Sequence, residues 1–238
     1  MDTLYGMEME TSSPRNLPSI GSFVDSLITE LISFQSDNVA QTENQQNPLS
    51  GLSTSQLAKV KPIMLTLHCI FPNDFLPAMD ILDRKLVQRM VRSDRAPISH
   101  NINTEQKCSN GIPEDIIFVR SASATAAPTQ EPDKGYEVRL QAWNCTCPTF
   151  ALSAFRDLVR LEMNYSPETM SYGQDEPGLY PFGGSLTCTT DKRVPPACKH
   201  ILACVLFVRC PGLFGGGGDG IRHVSMEELA GWCAGWAG

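Results

Sequence analysis

Ile20, Phe23, Val24, Leu27, Ile28, Leu31 and Ile32 return every three or four positions, which predicts an amphipathic helix over 20–34. Leu57, Val60, Met64 and Leu67 give a second helical stripe over 53–68, with Pro62 as a kink or a boundary. Phe75, Met79, Leu82, Leu86 and Met90 give a third over 75–91. Arg84, Lys85, Arg89, Arg92 and Arg95 make its end basic, which suits the negative end of a helix dipole and reads as a solvated face. The period then changes. Residues 115–120 predict a strand, and Tyr136, Val138, Leu140 and Ala142 alternate with polar neighbours to predict another, with 121–135 as a long hairpin tip. Phe150, Phe155, Leu158, Val159 and Met163 restore helical spacing. A further helix is predicted over 198–208 behind Pro195-Pro196, and Ser225-Met226-Glu227-Glu228 has the capping-box spacing that opens a last one.

The polar stretches between these elements organise the chain. Residues 1–18 read as frayed, 35–50 as an Asn/Gln-rich linker and 93–113 as a polar connection. Residues 164–184 read as an inserted loop, and 212–220 as a glycine-rich tether. Four segments result: 1–50, a flexible N-terminus with one amphipathic helix; 51–133, a helical region and linker; 134–210, a small module; 211–238, the tether and C-terminal helix. The predicted class is α+β, a helical N-terminal half followed by a small antiparallel sheet with packed helices.

Composition narrows the function. The 238 residues, 42% hydrophobic and 19% charged, suffice for a packed core. A net charge of -7, almost all of it from before Lys134, argues against coating nucleic acid through phosphate contacts alone. Nine cysteines, an odd number on a chain of this size, argue against an extracellular disulfide scaffold and for metal-bound or buried thiols in a reduced compartment. The first 15 residues place acids before the first base, unlike a secretory signal, and the longest apolar run, 201–208, is far short of a membrane span. A soluble, intracellular protein is expected.

The informative constellation is Cys145-x-Cys147 with Cys198-x-His200. Residues i and i+2 of a strand share a face, so the first pair presents two thiolates together at the end of the Tyr136 strand. The second pair opens a helix, where free amides and the dipole favour a thiolate at Cys198. Three sulfurs and one imidazole complete a tetrahedral set of the kind structural zinc prefers, with no position left for a catalytic water. His200 then needs an acceptor for its other ring nitrogen. The bland alternative is three small buried residues and a polar histidine. Cys188 is the rival ligand; Cys204 and Cys210 read as core thiols, and Cys69, Cys108 and Cys233 have no matching partner. Met64, Met79 and Met90 read as core filler, His68 as a satisfied core histidine, and His100 and His223 as loop residues.

Cys145-x-Cys147, a long gap, and Cys198-Lys199-His200-Ile201-Leu202-Ala203 resemble the SWIM zinc finger, and Ala203, completing C-x-H-x-x-A, resembles the SWIM subunit of the Shu complex in a fungal form. The resemblance covers about 136–210. It implies a strand-strand-helix module around one Zn2+ held by Cys145, Cys147, Cys198 and His200, with Ala203 as part of the motif. It further implies a nuclear, non-catalytic subunit that pairs with a recombinase paralogue and promotes recombinase filament assembly in homologous-recombination repair, with DNA contacted through the complex. By itself Ala203 reads as a small residue allowing helix and strands to pack closely, or as an ordinary helix alanine.

Two other classes compete. A direct DNA-binding SWIM finger of transposase-derived type needs a basic stripe; Lys192, Arg193 and Lys199 are near the second pair, but Asp191 is among them. A ubiquitin-ligase or redox accessory protein needs a second cross-braced site or reactive thiols. No nucleophile elbow, H-E-x-x-H or kinase signature is present, and Gly215 to Gly218 is followed by Asp219 rather than the Lys-Ser or Lys-Thr of a phosphate loop, so no enzyme is predicted. Neither a membrane nor a small-molecule substrate is expected. Trp143, Phe207 and Phe214 are candidate exposed anchors for a protein partner.

Overall fold

Polar caps set where the first helices begin. In the computed structural model, which describes residues 19–34, 48–92, 116–121, 135–161, 181–188, 194–215 and 220–234, α1 (Ile20–Ile32) opens at Ser19, whose hydroxyl accepts from the Ser22 amide. α2 (Thr54–Ile70) opens on a reciprocal capping box of Ser53 and Gln56 and runs through Pro62 without ending there. α3 (Phe75–Asp83) follows after a short turn.

The helix expected over 75–91 stops early. Lys85 takes a left-handed backbone (φ 51°), and the Leu86 and Lys85 amides bond back to the Ile81 and Leu82 carbonyls at 3.1 and 3.0 Å. That pair of bonds is a Schellman closure, which ends a helix and redirects the chain. Beyond it, Val87–Arg92 is a strand, β1. The basic residues predicted at a helix end are therefore divided: Arg84 and Lys85 lie in the turn, Arg89 in the sheet.

β2 (Ile116–Arg120), β3 (Gly135–Arg139), β4 (Asn144–Cys145) and β5 (Ile221–Val224) complete one five-stranded sheet in the order β4-β3-β2-β1-β5. β1, β2, β3 and β4 pair antiparallel in turn, while β5 lies parallel to β1. The class is mixed α/β. The strand expected over 115–120 is β2, and two expectations are corrected: the first half contributes a second strand, β1, where a helix was expected, and the sheet is not purely antiparallel. His223 lies on β5, not in a loop.

Register assigns the faces. Arg89, Ile117, Val138 and Cys145 form one row across four strands, so they share a face. That face and the helices α1, α2, α3 and α5 (Lys199–Arg209) bury one continuous core, from Val24 to Phe214. On the other face Met90, Ile116, Phe118 and Val224 form a smaller cluster under Leu229 and Trp232 of α7 (Met226–Cys233). Trp143 and Phe214, expected as exposed anchors, are buried, and Phe207 packs against the core. Tertiary packing takes these aromatics because they are the largest apolar surfaces available. The stretch expected as a tether begins as a helical turn, α6 (Pro211–Phe214). Within the expected loop, Phe182 is fully buried against Phe71 and Trp143.

An ion pair between a buried arginine and a half-buried aspartate ties this core together. Arg209, at the end of α5, donates to Asp25 of α1, and its other terminal nitrogen donates to Thr29 at 2.9 Å. Asp25 also accepts the Phe182 amide at 2.9 Å, so one carboxylate joins three segments. Among the described residues no helix is long and apolar enough to cross a membrane. The expectations for 1–18, 35–47, 93–113, 164–180, Asp191, Lys192, Arg193, His100 and Cys108 lie outside the described residues.

Candidate metal centre

The β3–β4 hairpin carries the first two sulfurs. Cys145 pairs with Val138, which puts it on the core face of the sheet. Thr146 extends the ladder: its amide bonds the Glu137 carbonyl, and its hydroxyl accepts the Glu137 amide, both at 3.0 Å. The chain then turns directly into α4 (Pro148–Leu161). Cys147 is the cap of that helix and not a second strand residue. Its sulfur accepts the Phe150 amide at 3.3 Å and its carbonyl accepts the Ala151 amide at 3.2 Å. Pro148, at the first helical position, was the available sequence signal for this start.

The second pair is built the same way. Cys198 has an extended backbone and caps α5, its carbonyl accepting the Leu202 amide at 3.0 Å. The free Lys199 amide goes to the Asp74 carboxylate, in the turn before α3, at 3.1 Å. His200 lies in the first turn, its ring 4.5 Å from that of Tyr136. Two of the three sulfurs thus sit at helix N-termini, where the dipole and unbonded amides stabilise negative charge.

All four predicted ligands converge. The three sulfurs and a ring nitrogen of His200 lie within 4.8 Å of one another, and all four residues are buried. Nδ1 of His200 is 3.8 Å from the Cys145 sulfur. A tetrahedral ion with bonds of about 2.0–2.3 Å spaces its ligands about 3.6–3.8 Å apart, so the donor set fits a metal ion. Sulfurs this close oppose one another's ionisation, because like charges at short range repel. Contacts from the Cys145 and Cys198 thiols, with help from His200 and the Phe150 amide, hold Cys147 well below the usual thiol range. The contacts of Cys145 with Cys147 and Cys198, and its burial, hold it well above that range. Cys198 is pulled down by Cys145 but raised more by Cys147 and by burial, to about 12. A divalent cation bound among them eases this conflict, since it favours the thiolate form of all three at once.

The supporting residues were mostly invisible in the sequence. Trp143 precedes Cys145 by two residues and has a left-handed backbone (φ 50°), a conformation that costs a bulky residue roughly 1–3 kcal/mol. Its indole Nε1–H donates to the Pro196 carbonyl at 2.8 Å. Ala203 is fully buried in the core. Cys204 and Cys210 are core thiols as expected; burial raises both, Cys210 to about 12. Cys69 is exposed. Cys188 ends a 3-10 turn, and its side chain lies outside the described residues. His68 is not the satisfied core histidine expected: among the described residues its buried Nδ1 has no hydrogen-bond partner, and its ring centroid lies 6.2 Å from that of Phe75. No family model matches the chain, and no curated protein matches it.

Proposed function

We propose that Cys145, Cys147, Cys198 and His200 hold one structural Zn2+ and that the protein is a non-catalytic SWIM-type subunit of a Shu-like complex. In this reading it works in the nucleus, pairs with a recombinase paralogue and promotes recombinase filament assembly on single-stranded DNA during homologous-recombination repair. The observation that carries it is the buried set of three sulfurs and one imidazole, on residues spaced C-x-C and C-x-H with Ala203 three positions on. Thiolate-rich tetrahedral sites favour zinc among common divalent ions. Four protein donors leave no position for a reactive water, which is why the proposal is structural. Zinc at such a site contributes about 10–16 kcal/mol of apparent binding energy in small peptides, coupled to folding.

The test is co-expression with a recombinase paralogue, followed by elemental analysis of the purified complex and a filament-assembly assay. One zinc per chain and faster assembly are expected, with both lost in Cys198→Ser. A Cys198→Ser protein with full partner affinity and unchanged thermal stability sinks the proposal. Tight, steeply salt-dependent binding of single-stranded DNA by the isolated chain would favour direct contact instead.

A further inference from the structure

Trp143 combines two features that packing alone does not require. Its backbone lies in the left-handed region (φ 50°), which bulky side chains avoid. Its ring is 2% exposed, yet it spends its one polar group on a carbonyl 53 residues away. Position gives the bond its meaning: Trp143 stands two residues before Cys145, and Pro196 stands two before Cys198. A single 2.8 Å bond therefore ties the approach to one ligand pair to the approach to the other.

The indole is fixed from a second side. Phe182 meets it edge-on at 4.8 Å. Gly184 (φ 51°) lets that segment reach the turn, since a Cβ there would meet the Leu140 carbonyl oxygen at 2.5 Å. The Ser185 amide then bonds the Gln141 carbonyl at 2.9 Å. The turn that aims the indole is thus held from outside the metal centre.

We infer that Trp143 is a positioning residue for the metal: its indole N–H fixes the separation of the Cys145/Cys147 and Cys198/His200 pairs, so the ion meets an assembled donor set. The inference rests on the four residues being a metal centre. Groups outside the ligands that orient a metal site typically govern about 10–100-fold in affinity.

The experiment uses the full chain, with Zn2+ competed against a chromophoric chelator and Co2+ as a spectroscopic probe. Trp143→Phe keeps a ring and deletes the donor; metal binding about 10–100-fold weaker and altered Co2+ ligand-field bands are expected. Phe182→Leu removes the edge contact and keeps the donor, so it should lower Tm and weaken metal binding by clearly less than Trp143→Phe does. If Trp143→Phe does not fold, 3-benzothienylalanine at 143, with sulfur in place of N–H at nearly the same shape, makes the same comparison. Unchanged metal affinity and an unchanged Co2+ spectrum without the donor overturn the inference and leave the centre standing. A wild-type chain that binds neither ion overturns the centre itself.

Discussion

The two ends of the sheet are closed by different physics. At the β4 edge, donor atoms converge: the three cysteines and one histidine that could hold a metal ion, the Trp143–Pro196 bond and the Asp74–Lys199 bond all meet around the heads of α4 and α5. At the β5 edge, closure is mainly apolar. Phe118 meets Trp232 edge-on at 4.8 Å, Met90, Ile116 and Val224 complete the patch, and Arg222 lies 5.6 Å over the same indole. Directional bonds can join segments far apart in sequence through a few atoms. Contact burial must be extensive to do the same, and this patch is small. The β4 edge is therefore the more specified end, and under the proposed function it is also the end that depends on one ion.

Metal removal should separate the two ends most. Chelation is expected to raise hydrogen exchange in β3, β4 and the starts of α4 and α5 well above the rise in β1 and β5, because the binding energy at stake is on the order of 10 kcal/mol. A uniform rise would mean that the sheet opens as one unit. Acid acts in the same direction. Cys145 and Cys198 hold protons above the usual thiol range and must lose them on binding, so chelator competition should show affinity decreasing as pH is lowered, by up to about 100-fold per unit for two protons.

Asp25→Ala strands the buried Arg209 charge and should cost about 3 kcal/mol in urea denaturation, the lower end of the range for broken buried pairs because Asp25 is 34% exposed. Trp232→Ala should cost about 2 kcal/mol, less than a fully buried aromatic, and leave metal affinity unchanged. A weaker metal site in that variant would mean that the two ends are coupled. The smallest effect is a gain. Lys85→Gly relieves a left-handed backbone and should stabilise by about 0.5–1 kcal/mol, read as a higher denaturation midpoint. Trp143 has nearly the same φ, but glycine there loses the indole and should destabilise.

Sequence patterns revealed what is local. The periodic helices α1 and α2 and the alternation in β3 follow from local apolar spacing, and the four converging donor residues follow from donor chemistry at close spacing. β1 was hidden because Leu82, Leu86 and Met90 also fit a helical stripe; only the left-handed turn at Lys85 separates them. β5 has four residues, too few to show a period, and becomes a strand by pairing with β1. Trp143 and Phe182 lie in irregular segments, where burial depends on partners that no periodicity announces. The Asp25–Arg209 pair spans 184 residues, a distance over which a sequence carries no spacing signal.

α5 is capped by Cys198 and ends on Arg209 of the Arg209–Asp25 pair, so this 11-residue helix is a rod of about 17 Å held at both tips. Any movement of its head must reappear at α1 or be taken up as bending. A fluorophore placed near Ile20 or Phe23, both exposed on that helix, would act as a remote gauge of what happens at the other tip.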